Sequence, residues 1–188
     1  SAERVLIVGG GNSCLVHQQA VKQFAALIPS MPLIFVTSRY AALYNDLSNP
    51  KYYCLVGNEA KRLSRNVSEK DFNGVCLLAP YPRRMGTEVP PYAERLTYEL
   101  DNITFTHSYL DSCTTLALQA AIAMEAKEGN IIGYDGYKGE VLSEKEMELT
   151  NENKTLFEAF KDAQGVELRS LTPSLYKSLK VESIYQFL

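Results

Sequence analysis

Arg4-Val5-Leu6-Ile7-Val8 is a short apolar run that stops at three glycines, Gly9-Gly10-Gly11. An unbroken run of this length is the pattern of a strand covered on both faces. Over residues 14–28 the spacing changes, and Val16, Ala20, Phe24, Leu27 and Ile28 recur as on one face of a helix. Ser13 stands where a capping hydroxyl belongs. Pro29 and Pro32 end the segment, and Leu33-Ile34-Phe35-Val36-Thr37 predicts the next strand. A short helix over 39–47 follows and ends at the Ser48-Asn49-Pro50 turn. Tyr52-Tyr53-Cys54-Leu55-Val56 predicts a third strand, residues 58–70 a polar helix, and Val75-Cys76-Leu77-Leu78-Ala79 a fourth strand.

The rhythm then loosens. Pro80, Pro82, Pro90 and Pro91 make 80–103 a long loop with room for one helical turn, and Ile103-Thr104-Phe105-Thr106 predicts a strand. Residues 112–127 form an Ala- and Leu-rich helix, and Asn130-Ile131-Ile132-Gly133 a strand. A helix runs from Ser143 to about Ala163. Ser143 and Glu146 have the S-x-x-E spacing of a capping box, and Leu149, Leu156, Phe157 and Phe160 form the buried stripe. Val166-Glu167-Leu168 closes the series. Strands alternating with helices predict an α/β fold, a single Rossmann-like doubly wound and mostly parallel sheet with helices on both faces. One domain is expected over 3–188, with Ser1-Ala2 as a vector remnant.

The 188 residues suit one domain and fall short of a (β/α)8 barrel, which takes about 250. The 46% hydrophobic and 22% charged content is that of an ordinary globule. A net charge of −3 argues against nucleic acid or anionic membrane as a general partner, although a local basic patch stays open. No apolar run approaches the ~20 residues of a membrane span. With no signal-peptide pattern at the start, a cytoplasmic location is expected. Cys14, Cys54, Cys76 and Cys113 form no C-x-x-C pair, and His17 and His107 are the only histidines, so clustered zinc ligands are missing. The thiols are either all reduced and inert, or one is reactive. Cys14, at a helix start, is then the candidate.

In an open α/β sheet, ligands bind beyond the carboxyl ends of the strands. Gly9, Gly10, Gly11, Asn12 and Ser13 follow the first strand there. Glycines permit a sharp turn and close approach, and free amides at a helix start bind phosphate. The same residues can also make a plain tight turn. The spacing is not a dinucleotide fingerprint, since Cys14 occupies the third glycine position and no acid ends the second strand. Arg39 is placed to meet a 2′-phosphate, which leaves NADP open. The P-loop pattern G-x-x-x-x-G-K-[ST] is absent. Asp135 can accept from a ribose or base, hold a magnesium ion that bridges phosphates, or simply form a turn. Asp111 and Ser112, like Asn58 and Glu59, can cap helices or touch a ligand. Arg83 and Arg84 offer guanidinium forks to phosphate or carboxylate, or are surface charge. His17 near the glycine loop and His107 as a general base are weaker candidates. The acidic run Glu140, Glu144, Glu146, Glu148, Glu152 reads as a solvated helix face. No catalytic residue is assigned.

Two resemblances bear on these residues. Val5-Leu6-Ile7-Val8-Gly9-Gly10-Gly11-Asn12-Ser13, with the segment Asp111-Ser112-Cys113-Thr114-Thr115 leading into alanines and Ile131-Ile132-Gly133-Tyr134-Asp135-Gly136, resembles the fold of the 6-hydroxymethylpterin diphosphokinase-like proteins and bacterial sialyltransferases. There a glycine loop, a Ser/Thr-started helix and a Gly-x-Asp strand end surround a nucleotide. Asn12 stands where those families commonly carry proline. Tyr53-Cys54-Leu55-Val56-Gly57-Asn58-Glu59, Pro80-Tyr81-Pro82-Arg83-Arg84-Met85-Gly86-Thr87 and Gly133-Tyr134-Asp135-Gly136-Tyr137-Lys138-Gly139-Glu140 resemble the region after the catalytic barrel of bacterial proteins called 4-hydroxy-2-oxovalerate aldolases, of the HMG-CoA lyase-like family. That resemblance implies a fragment of a longer polypeptide, with an upstream barrel as partner and the lyase site outside this chain. The expected function is an accessory domain for phosphate or a nucleotide, with magnesium as a further option. The alternatives are a nucleotide-dependent transferase and a non-catalytic interaction domain.

Overall fold

The computed structural model of the chain describes residues 2–83 and 87–188. The strands are β1 (Arg4–Val8), β2 (Leu33–Phe35), β3 (Lys51–Leu55), β4 (Val75–Leu78), β5 (Thr97–Glu99), β6 (Glu128–Ile132), β7 (Leu168–Ser170) and β8 (Lys180–Val181). They form one sheet in the order β5-β4-β3-β2-β1-β6-β7-β8, and every neighbouring pair is parallel. The helices are α1 (Ser13–Val16), α2 (Gln18–Leu27), α3 (Glu59–Asn66), α4 (Cys113–Ala123) and α5 (Glu144–Gln164). The fold is α/β, doubly wound and Rossmann-like.

Alternation along β1 divides the core. Leu6 and Val8 face one layer with Val21 and Phe24 of α2 and Leu63 of α3. Val5 and Ile7 face the other, with Leu116 and Ala120 of α4 and Leu156, Phe157 and Phe160 of α5. Phe157 meets Tyr134 and Tyr176 edge-on, with ring centroids 5.1 and 5.5 Å away. Truncating such a ring to alanine costs about 3–5 kcal/mol. Helix α4 carries the chain from the β5 edge back to β6 and is buried from Thr114 to Ala121, so its sequence shows no polar stripe. In α5 the Ser143–Glu146 capping box forms in both directions, and Gly165 closes the helix with φ 63°.

Several expected elements shift. The 14–28 helix is broken at His17, whose φ and ψ of −105° and 22° separate α1 from α2. The short helix after β2 is 3-10, over Ser38–Tyr44. Residues 103–106 are not a strand. Thr104 donates its amide to the Gln119 side chain of α4 at 2.9 Å, so that amide is satisfied without a ladder. The edge strands β5 and β8 are short and exposed, without the apolar run that marks a central strand.

The strand order reverses about β1, with β2 on one side and β6 on the other. The loops leaving β1 and β6 therefore meet at the carboxyl edge. Among the described residues, no helix is long and apolar enough to cross a membrane.

Candidate functional site

The β1 and β6 loops bind each other before they can bind anything else. Gly11 donates its amide to the Gly133 carbonyl at 2.7 Å, and Gly9 donates to Ile132 at 2.8 Å. A Cβ on Gly9 would lie 2.6 Å from the Gly133 oxygen, and one on Gly11 would run into the Asp135 carboxylate. These glycines are thus required by contact between loops. The Asp135 carboxylate accepts the Ser13 amide at 3.0 Å on Oδ2 and the Ser13 hydroxyl at 2.5 Å on Oδ1. Thr172 Oγ1 lies 3.1 Å from the same hydroxyl and accepts the Gly133 amide at 3.2 Å.

The expected row of bare amides is corrected accordingly. Gly11 and Ser13 spend theirs inside the protein, and the start of α1 already holds an anionic group, the Asp135 side chain. Negative charge is favoured there because the first amides of a helix point outward unpaired. Among the described residues, only the Gly10 and Asn12 amides of this loop donate to no protein acceptor.

Both residues line a crevice of about 500 Å³ between the two loops. The expected residues that it gathers are Gly10, Gly11, Asn12, Arg39 and Asp135. Arg39 is anchored by one bond to the Gly10 carbonyl, 3.2 Å, and lies over the Tyr40 ring, 5.2 Å from its centroid. The sequence had not indicated Arg62, which joins it from α3. Arg62 is paired at 2.7 Å with Glu59. Glu59 is buried; desolvation raises its carboxyl above the usual range, against the pull of Arg62. Glu59 therefore acts through Arg62, and Asn58 precedes α3 without a side-chain cap bond.

The far wall of the crevice comes from elements distant in sequence. Tyr134 OH is 2.9 Å from Thr114 Oγ1, which donates to Asn153 Oδ1 at 3.1 Å. Asn153 Nδ2 donates to Tyr176 OH at 3.1 Å. Thr37 and Tyr137 complete the lining. Tyr134 is the middle residue of the Gly-x-Asp strand end, Tyr137 lies two positions beyond it, and both were open to inference. Asn153 and Tyr176 carry no local signal.

Other expected residues sit elsewhere. Arg83 is engaged on all three nitrogens: Nε to the Ala79 carbonyl at 2.6 Å, Nη2 to Glu99 at 2.6 Å and Nη1 to Tyr81 OH at 3.1 Å. It braces its loop against β5. Arg84 lies outside the described residues. Ser112 caps α4, accepting the Thr114 amide at 3.1 Å. Asp111 and His107 line a separate cleft of about 440 Å³ beside Pro80. His17 is hydrogen-bonded to Tyr185 OH at 2.9 Å.

Cys14 is fully buried, and burial pushes its thiol up to about 12, with the Asp135 carboxylate acting in the same direction. That overturns its candidacy as a reactive thiol, because the thiolate is the nucleophile. Cys76 and Cys113 are likewise raised to about 12, chiefly by burial. Among the described residues, no three His, Cys, Asp or Glu side chains gather to hold a metal ion. Asp135, the one expected magnesium contact, has both oxygens committed to Ser13.

Fold and site together define an open, doubly wound α/β protein with a polar crevice at its topological switch point. No family model, curated protein or solved structure matches the chain.

Proposed function

We propose that this chain is an accessory domain that binds a phosphate-bearing small molecule, nucleotides included, within an aldolase-like polypeptide whose lyase site lies outside it. The observation that carries the binding half is the convergence of Arg39, Arg62 and the unpartnered Gly10 and Asn12 amides on one crevice. Its volume of about 500 Å³ suits a small ligand. The anion belongs beside the arginines and the Gly10 and Asn12 amides rather than on the Ser13 amide, which Asp135 already holds. The aldolase half rests on the resemblance of residues 53–59, 80–87 and 133–140 to the region after the lyase barrel. A gene without an upstream barrel would remove it.

Thermal unfolding in the presence of pyrophosphate, sugar phosphates and nucleotides, with and without magnesium, tests the binding half. A ligand at 100 times its dissociation constant adds about 2.7 kcal/mol. A raised midpoint with any phosphate ligand is expected without magnesium. No shift with any of them overturns the proposal and leaves a domain that serves contacts between proteins. A shift that needs magnesium would favour the transferase reading.

A further inference from the structure

Asn153 faces the crevice with its amide half used. A carboxamide has two N–H donors and an oxygen that accepts twice. One N–H goes to Tyr176 OH and one lone pair receives Thr114 Oγ1, each at 3.1 Å. The Thr114 hydroxyl has one proton and donates it to Asn153 Oδ1, so it accepts from Tyr134, which is 6% exposed and whose phenol is kept protonated by burial. What remains on Asn153 is one N–H and one lone pair. Tyr137, 40% exposed, adds an aromatic surface to the same lining.

Resting on the phosphate-binding reading above, we infer that the crevice takes a nucleoside phosphate, its phosphates at Gly10, Asn12, Arg39 and Arg62 and its base edge paired with the Asn153 carboxamide. An amide pairs in two-point fashion with an edge carrying a donor beside an acceptor, as adenine N6 and N7 do. The base gains aromatic surface from Tyr137 as well. Inorganic polyphosphate or a sugar phosphate would leave this end of the crevice facing water. The crevice thus has an anion end built by β1, β2 and α3, and a base end built by β6, α4 and α5.

Calorimetric titration of the native chain with ADP, pyrophosphate and ribose 5-phosphate tests the assignment, alongside Asn153→Leu and Asn153→Asp. ADP is expected to bind at least tenfold tighter than either phosphate lacking a base. Both variants should lower the ADP-to-pyrophosphate affinity ratio about tenfold or more. Asn153→Asp still accepts from Thr114, which guards against a folding defect in Asn153→Leu, and a ratio cancels the charge that aspartate adds. ADP binding no tighter than pyrophosphate, or a ratio unmoved in a folded variant, overturns the base site and leaves phosphate binding standing. No binding by any of the three removes both.

Discussion

Asp135 and Ser13, 122 positions apart, are joined by two hydrogen bonds that put a carboxylate at the first turn of α1. This places the protein's own negative charge where a glycine loop of this type would otherwise receive phosphate. The bonds also tie the β6 loop to the β1 loop, so the crevice wall and the fold share one contact.

Asp135→Asn separates the two consequences. Hydrogen bonds to a charged acceptor contribute about 1.5–3 kcal/mol each, and the amide can replace them only in part. A loss of about 1–3 kcal/mol in urea unfolding is expected. Pyrophosphate, by contrast, should bind more tightly to the folded variant, because a like charge has left the crevice. A variant that binds more weakly, with magnesium-dependent binding in the parent, would show that Asp135 serves a metal instead.

Gly10 and Gly11 are neighbours with opposite tolerance. A Cβ on Gly11 collides with Asp135 and lies 2.7 Å from the Gly133 carbonyl, both fixed by hydrogen bonds. Gly11→Ala is expected to cost about 1–3 kcal/mol, in the range of overpacked sites. On Gly10 the nearest atom is the Thr37 methyl at 3.1 Å, which needs to yield only slightly. Gly10→Ala should keep the parent's denaturation midpoint within about 1 kcal/mol. Its effect should appear in ligand affinity, because the added methyl group stands beside the crevice.

Arg39 and Arg62 differ in what holds them. Arg39 has a single bond to a carbonyl, whereas Arg62 is paired with a buried carboxylate. Each Arg→Ala change should weaken pyrophosphate binding about tenfold or more, the equivalent of one charged hydrogen bond. Glu59→Gln should have the opposite effect on affinity, since it frees Arg62. Its stability effect follows from the raised Glu59 pKa. A group whose folded pKa is raised contributes stability below its unfolded pKa and loses it as pH rises through the folded one. Glu59 is thus a cost at neutral pH, and Glu59→Gln should gain more in melting temperature at pH 7 than at pH 4. Equal gains at both values would contradict the assigned burial cost.

The central strands were legible because burial on both faces leaves no polar alternation. β1 to β4 carry such runs, whereas in β6 only Ile131 and Ile132 are apolar, after Glu128, Gly129 and Asn130. Thr97-Tyr98-Glu99 and Lys180-Val181 pair on one side only and are exposed, so their pairing leaves no mark in composition. Ile103 and Phe105 alternate like a strand, yet they pack as a loop against the second core layer. Half of the crevice was equally open to inference: glycines after β1, Arg39 after β2 and Asp135 after β6 follow from the edge rule. Arg62, Asn153 and Tyr176 were not, since helix and loop positions face a crevice only through tertiary packing. The internal use of the Gly11 and Ser13 amides was hidden for the same reason. Their acceptors lie on the β6 loop, beyond any local pattern.

Alkaline titration gives a test that needs no ligand. Cys14, Cys76 and Cys113 have thiols raised to about 12, whereas an unfolded cysteine ionises near 8.5. Buried Tyr44 and Tyr53 are raised too, by desolvation first. In every case the folded state holds the proton more tightly. For the three thiols the stabilisation is complete below the unfolded pKa and disappears as pH rises toward 12; for the two tyrosines the loss begins only above an unfolded pKa near 10 and extends to still higher pH. From pH 8 to pH 10 the Cys14 share alone should be about 1–2 kcal/mol, since a tenfold difference in proton affinity between folded and unfolded states is worth about 1.4 kcal/mol. Urea unfolding under reducing conditions should therefore show a clear fall over that interval. Cys14→Ala should begin less stable at pH 8, having lost packing against Gly9 and Gly133, but its decline to pH 10 should be shallower than the parent's. Parallel declines would mean that Cys14 is not held neutral by burial. Rapid labelling of the native protein by a thiol reagent at pH 8 would indicate the same for the buried thiols as a group.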